Sequence, residues 1–338
     1  MMCVILLLNI VNLVCLGGIM EKKQIYCIVK KLLILIISLF LILLLCACSE
    51  KKLDNAYPSV VTIINGVDID KGILTSDVIV GTGFCYKPNR IVTNYHNIKN
   101  SDQNTNIITH DDIVLSAKLI AKDEQSDIAL LEIDADIPHI SFADSDKCSI
   151  GQKIMSISTP ISTFLKGTYS EGLISNLNII GFGTQRLLQT NINLSPGCSG
   201  GPLFDSSGQV VGMVTFKSTE FGAEGLGFAI PSNRLKKIID RLEQGVETLN
   251  LGITFQSDIY QKFGIPGAKG LLVQDIDDGS LLYGKLQEGD LLIEINGIAI
   301  HNLIEYTEAL EQLSYNHDLD ITIKRSNKEQ TIFIKREE

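Results

Sequence analysis

From Ser59 to about Ile230 the chain repeats one device: short β-branched, apolar runs separated by clusters of Gly, Asn, Asp and Pro. The runs are Val60–Ile64, Val78–Tyr86, Arg90–Thr93, Ile113–Ile120, Ile128–Ile133, Lys153–Ser158, Gly172–Ile174, Leu187–Asn191 and Val210–Thr215. Each is short for a helix and rich in side chains that suit a pleated surface. Many short strands at this spacing predict an all-β sandwich or barrel. The pattern changes at Pro231–Gly245, where Leu235, Ile238, Ile239 and Leu242 fall at helical spacing and Gly245 can stop the helix. A helix there would close a first domain over residues 59–245.

Strands resume at Leu249. "LGITF" and "GLLVQDI" read as strands, and "DLLIEINGIAI" as a strand pair turned at Asn296-Gly297, a strong hairpin dipeptide. "NLIEYTEALEQL" has helical spacing, and the strands "DITIKR" and "QTIFIK" follow it. Residues 249–338 therefore predict a small, separate α+β module.

The N-terminus reads as a processing segment. Lys22, Lys23, Lys30 and Lys31 precede a run from Leu32 to Leu45 that is apolar apart from Ser38, about the length of a signal-peptide core and short for a spanning helix. It ends in Leu45-Cys46-Ala47-Cys48, which resembles a bacterial lipobox and marks Cys48 as the lipidated residue. Residues 1–48 are thus a leader, with Met20 as the expected true start, and residues 49–58 are a polar tether. Beyond Cys48 only Cys85, Cys148 and Cys198 remain, too few for a disulfide framework. A net charge of −10 without a basic block in the body argues against nucleic acid as partner. No Cys–His spacing suits zinc and no Gly-x4-Gly-Lys loop is present, so neither a metal nor a cofactor is expected.

Three local contexts carry chemistry. His96 in "IVTNYHNI" follows a strand into a polar turn. Asp127 in "EQSDIALLEI" opens an apolar strand. Ser199 sits in the glycine turn "LSPGCSGGPLFD". A nucleophile, a base, an anion to orient that base and donors for an oxyanion are what acyl-transfer hydrolysis requires. The order His, Asp, Ser is that of the chymotrypsin-like double barrel rather than of subtilisin or the α/β-hydrolases.

"GTGF" (Gly81–Phe84), "TNYH" (Thr93–His96), "DIALL" (Asp127–Leu131), "LQTN" (Leu188–Asn191), "SPGCSGGPL" (Ser195–Leu203) and "GFAIPSN" (Gly227–Asn233) together resemble the HtrA (Deg) family of trypsin-fold serine proteases. The resemblance implies a mainly β chain, a chymotrypsin-like double β-barrel followed by a PDZ domain. It implies His96 as general base, Asp127 as its partner and Ser199 as nucleophile, with an oxyanion hole at Gly197, Cys198 and Ser199. Cys198 stands where the family more often has asparagine, and its side chain is expected to be a bystander. Activation loops are implied around Ser158–Gln185 and Phe216–Gly227, and a short variable loop at Asn65–Asp77. "LGI" (Leu251–Ile253) and "LQEGDLLIEINGIAI" (Leu286–Ile300) are similar to PDZ segments, implying that Leu251, Gly252 and Ile253 bind a peptide carboxylate. The implied function is ATP-independent proteolysis of misfolded or regulatory polypeptides outside the cytoplasm, by a membrane-anchored and trimeric lipoprotein, with Tyr57 as a candidate trimer contact. The alternative is a chaperone-like or peptide-gated scaffold with little constitutive proteolysis.

Overall fold

The computed structural model describes residues 26, 30–38, 40, 53–68, 71–99, 105–179, 186–215, 225–246, 249–256, 269–313 and 318–335. The chain divides into two units, Met1–Asp54 and Asn55–Glu338. In the first, residues 30–38 are helical, and Ser38 Oγ donates to the Leu35 carbonyl at 2.8 Å. No helix among the described residues is long and apolar enough to cross a membrane. Cys48, the expected lipidation site, lies outside the described residues.

In the second unit, strands β1 (Val60–Asp68), β2 (Ile73–Lys87), β3 (Arg90–Thr93), β4 (Thr105–Ile108), β5 (Val114–Asp123) and β6 (Ile128–Ile133) close a barrel in the order β1-β2-β3-β6-β5-β4. A second barrel follows: β7 (Lys153–Ser158), β8 (Thr168–Ile179), β9 (Leu187–Thr190), β10 (Pro202–Phe204), β11 (Val210–Val214) and β12 (Gly227–Pro231), ordered β10-β11-β12-β9-β8-β7. Each barrel has its own apolar filling, Ile63, Ile91, Ile107 and Leu131 in the first and Ile154, Leu203, Val211 and Val214 in the second. Closure satisfies every strand edge, so neither barrel offers an open ladder.

Helix α1 (Ser232–Glu243) buries Leu235, Ile238, Ile239 and Leu242, the four positions its spacing marked. It stops at Gly245, whose φ of 69° suits glycine. The C-terminal region holds β13 (Ile253–Phe255), β14 (Leu271–Ile276), β15 (Leu291–Ile295), β16 (Ile298–Ala299), helix α2 (Leu303–Gln312), β17 (Leu319–Arg325) and β18 (Lys328–Ile334). Its sheet runs β13-β14-β15-β17-β18, with β16 paired to β15. The Asn296-Gly297 turn has φ of 47° and 79°, the double positive value that a tight hairpin of this kind requires. Asn302 caps α2 by accepting from the N–H groups of Ile304 and Glu305.

Two expectations change. Within Asn65–Asp77, residues 65–68 and 73–77 are strand rather than loop: β1 and β2 continue past a bulge at Asn65/Val67, to the pair Asp68↔Ile73. Within the expected activation loop Ser158–Gln185, Thr168–Ile179 is the strand β8, which runs four residues earlier and five later than its apolar centre Gly172–Ile174. It is largely exposed and polar, so it carries little hydrophobic alternation. Tyr57 meets His110 of its own chain edge-on, with ring centroids 5.9 Å apart.

The C-terminal sheet packs on the barrels through α2. Gln125 Nε2 donates to Thr307 Oγ1 at 3.1 Å, Arg186 Nε to Glu308 Oε1 at 2.6 Å, and Arg234 Nη2 to Glu311 Oε1 at 2.6 Å. A cavity of about 760 Å³ lies beside these pairs, lined in part by Lys237 and Arg241. Burial pushes the Glu311 carboxyl above the usual glutamate range, opposed by the charges of Arg234 and Arg241. A carboxyl raised by folding holds its proton more tightly in the native state. Its contribution to stability is therefore full below the ordinary glutamate pKa and is lost as pH rises through the raised value. Glu311→Gln cannot titrate, so thermal denaturation between pH 4 and 8 should show a shallower fall with rising pH in the variant than in the parent. Parallel curves would show that Glu311 does not titrate differently in the two states.

Candidate active site

β3 and β6 are antiparallel neighbours in the register Thr93↔Ala129, so the chain leaving β3 and the chain entering β6 meet at one barrel rim. The first segment is Asn94 and a short 3-10 turn, Tyr95–Asn97; the second ends in Asp127. Asp127 has φ of 57°, a left-handed conformation that aspartate tolerates better than most residues. Its carbonyl accepts from Asn94 Nδ2 at 2.9 Å and from the Tyr95 N–H at 3.1 Å. The carboxylate then faces His96, with Oδ1 accepting from the backbone N–H at 3.0 Å and Oδ2 lying 2.8 Å from Nδ1. The Asp127 side chain is 7% exposed and that of His96 33%. A buried carboxylate thus holds a half-open imidazole. Donation of Nδ1–H to it leaves the Nε2 lone pair as the basic face.

Ser199 comes from the other barrel, on the turn between β9 and β10. The turn docks on the first barrel through the Ser199 carbonyl, which accepts from the Thr82 N–H and from Asn97 Nδ2, both at 3.0 Å. Asn97 is the neighbour of His96, so the expected nucleophile is brought to the rim that carries the other two groups.

The turn's peptide planes are fixed one after another. The Pro196 carbonyl accepts from the Ile161 N–H at 2.6 Å, the Gly197 carbonyl from Thr82 Oγ1 at 2.7 Å, and the Cys198 carbonyl from the Gly201 N–H at 3.0 Å. A trans peptide is planar with its N–H opposite its C=O. Holding those carbonyls therefore aims the N–H groups of Gly197, Cys198 and Ser199. The Cys198 N–H is engaged by the Ser195 carbonyl at 3.0 Å, so one of the three expected oxyanion donors already has a partner here. Gly197 has φ of 93°, and a Cβ there would run into the Thr159 carbonyl.

Cys198 is 3% exposed and packs in the second barrel's core, where its Sγ accepts from Ser158 Oγ at 3.2 Å. That matches the bystander reading. Burial pushes the Cys85 thiol up to about 12, so it stays protonated at neutral pH.

At the C-terminal loop, Leu251 is buried and its carbonyl accepts from Ser280 Oγ at 2.6 Å. Gly252 has φ of 59°, and Ile253 opens β13. The Gly252 N–H donates to Asn250 Oδ1 at 2.8 Å, so one expected carboxylate donor already has a partner here. Of the expected gating segment Phe216–Gly227, residues 216–224 lie outside the described residues.

Two closed barrels with a His–Asp pair on one and a glycine-turn serine on the other define a trypsin-like peptidase domain. Residues 81–213 match the family described as Trypsin-like peptidase domain. The chain is 35% identical over 301 residues to a probable periplasmic serine endoprotease, DegP-like, of Rickettsia conorii, covering 85% of this chain and 58% of that one. It is 30% identical over 265 residues to the serine protease Do-like HtrB of Bacillus subtilis, covering 72% and 58%. The chain belongs to the HtrA family. It spans 58% of the length of each of these two curated relatives. The solved serine endoprotease from Yersinia pestis shares the fold at a TM-score of 0.65 and 23% identity, covering 85% of this chain and 96% of that one. HtrA-type protease AlgW with a decapeptide does so at 0.64 and 19%, covering 84% and 97%.

The residues that sequence reasoning passed over are Thr82, Asn94 and Asn97, all buried and all holding the site together. Their signal was the polar character of positions inside otherwise apolar strand ends. For the turn itself, Gly197→Ala should lower folding stability by about 1–3 kcal/mol, since it combines a positive φ with a backbone collision. Chemical denaturation measures this, and an unchanged midpoint would contradict the turn's geometry.

Proposed function

We propose that this chain is an ATP-independent serine endopeptidase acting outside the cytoplasm on misfolded or regulatory polypeptides. The observation that carries the reading is the 2.8 Å pair of His96 Nδ1 and Asp127 Oδ2, at the rim where the Ser199 turn docks. Ser199 Oγ attacks the substrate carbonyl carbon while His96 Nε2 takes the hydroxyl proton. The tetrahedral oxyanion is held by the N–H groups of Gly197 and Ser199. The C–N bond then breaks as His96 returns the proton to the leaving amine. Water, deprotonated by the same imidazole, releases the acyl group. Asp127 stays ionised throughout, orienting the ring and offsetting its transient positive charge.

The periplasmic naming of the Rickettsia relative supports the location. In this reading the leader ends at Cys48, whose lipidation anchors the mature chain. A single acyl chain binds membranes only marginally, so stable anchoring implies more than one. Residues 249–338 act as a PDZ module, in which a peptide adds a strand along β13 and its terminal carboxylate meets Leu251, Gly252 and Ile253. The chain works as a homotrimer.

Ser199→Ala should abolish casein cleavage while the variant still folds, as checked by circular dichroism. A fluorophosphonate probe should label the parent and not the variant. Asp127→Asn should cut turnover by roughly 10⁴-fold, because the wrong imidazole tautomer is then held. Cleavage that persists in Ser199→Ala, at a rate matching the parent, would overturn the assignment.

A further inference from the structure

Every polar atom of Thr82 is committed to the junction of the two barrels. Its N–H donates to the Ser199 carbonyl at 3.0 Å, and its own carbonyl accepts from Thr93 Oγ1 at 2.7 Å. Its hydroxyl does two things at once: it donates to the Gly197 carbonyl at 2.7 Å and accepts from the Thr159 N–H at 2.9 Å. The residue is completely buried. Glycines flank it on both sides, and a Cβ at Gly81 would strike the Asn97 side chain. A Cβ at Gly200 would strike the Thr82 carbonyl itself, so the two strands approach backbone to backbone.

Resting on the protease reading above, we propose that Thr82 is a positioning residue for oxyanion stabilisation. Its hydroxyl clamps the Gly197–Cys198 peptide plane to the segment that starts at Thr159. The segment is then joined to the turn at three points. Besides the Thr82 bridge, the Ile161 N–H holds the Pro196 carbonyl at 2.6 Å and Ser158 Oγ reaches Cys198 Sγ at 3.2 Å. Of the three, only the Thr82 bridge reaches across from the first barrel. With the Thr82 N–H and Asn97 Nδ2 holding the Ser199 carbonyl, it fixes where the turn's N–H groups stand relative to His96, which the first barrel carries. Rotation of the Gly197–Cys198 plane would tip the adjoining N–H donors away from the oxyanion position, and the ground-state substrate would scarcely sense it.

The test compares the full chain with Thr82→Val, which keeps shape and loses the hydroxyl, and Thr82→Ser, which keeps the hydroxyl. Ser232→Ala is the control, since it removes an equally buried hydroxyl-to-carbonyl bond to Ala143 at 2.7 Å, away from the turn. With a chromogenic peptide, Thr82→Val should lose on the order of 10- to 100-fold in kcat with KM nearly unchanged, the split expected when geometry is lost only for the transition state. Thr82→Ser should recover most of the loss, and Ser232→Ala should lower the melting temperature without the kcat effect. Amide hydrogen exchange provides a readout free of turnover: residues 157–161 and 195–201 should lose protection in Thr82→Val and keep it in Thr82→Ser. If Thr82→Val does not fold, Thr82→Ala takes its place with the same expectations. Parental kcat in the valine variant, a loss that serine does not rescue, or unchanged exchange each overturns the proposal. A parent without Ser199-dependent turnover sinks the protease reading instead, and the exchange comparison still decides whether the clamp exists.

Discussion

The groups that would act together in this chain are carried by two separately closed barrels, so the site exists only as far as the seam between them is fixed. Apolar packing alone would leave that seam free to slide, because burial is nearly indifferent to direction. Hydrogen bonds are not. The Thr82 N–H and Asn97 Nδ2 hold the Ser199 carbonyl, Thr82 Oγ1 holds that of Gly197, and Thr62 Oγ1 meets Thr159 Oγ1 at 2.6 Å. Each bond crosses from the first barrel to the second. Angular constraint at four consecutive carbonyls of the turn is what converts a glycine-rich loop into an aimed set of donors.

The same logic reaches the C-terminal sheet through one short turn. Asp123, Gln125 and Asp127 alternate along the chain between β5 and β6, and each makes a different connection. Asp123 is paired with Arg241 of α1, Gln125 bonds Thr307 of α2, and Asp127 holds His96. Asp123 also accepts from the Ser126 N–H at 3.0 Å, which stiffens the turn from within. The carboxylate that orients the imidazole is thus two residues from the contact with the C-terminal domain. This is spatial adjacency, and adjacency supplies a route for coupling without measuring any.

Much of the site could be read from the sequence because its chemistry is locally encoded. His96 leaves a strand into a turn, Asp127 enters one, and glycine is required at position 197 by a φ of 93°. The hairpin at Asn296-Gly297 and helix α1 were equally legible, since each is dictated by residues within a few positions. β4, β10 and the full length of β8 were not. β10 is only three residues long, and β8 shows solvent most of its side chains, so the barrel's closure rather than local preference makes them strands. The continuation of β1 into Asp68 is likewise imposed by its partner β2. Thr82 was visible as part of "GTGF", but its four hydrogen bonds span up to 117 positions of sequence, and no local pattern encodes a partner that distant.

The two interfaces of the second unit differ in the kind of group that holds them. Against the C-terminal helix two of the three contacts described are ionic, Arg186 with Glu308 and Arg234 with Glu311, and the third joins Gln125 to Thr307. Arg234 and Glu311 are largely buried, and such a pair carries a desolvation cost that its attraction only partly offsets. At the Ser199 turn the contacts between the barrels are hydroxyls, amides and backbone groups, while the ion pair of Lys166 with Asp112 joins the barrels elsewhere. Neutral partners cost far less to bury and, once satisfied, are expensive to separate. They also add no net charge near a carboxylate, an imidazole and a transient oxyanion, whose mutual energies depend steeply on nearby ions in a low-dielectric setting. The turn that carries Ser199 is thus aimed by neutral, directional bonds, while the C-terminal helix is held in good part by charged ones.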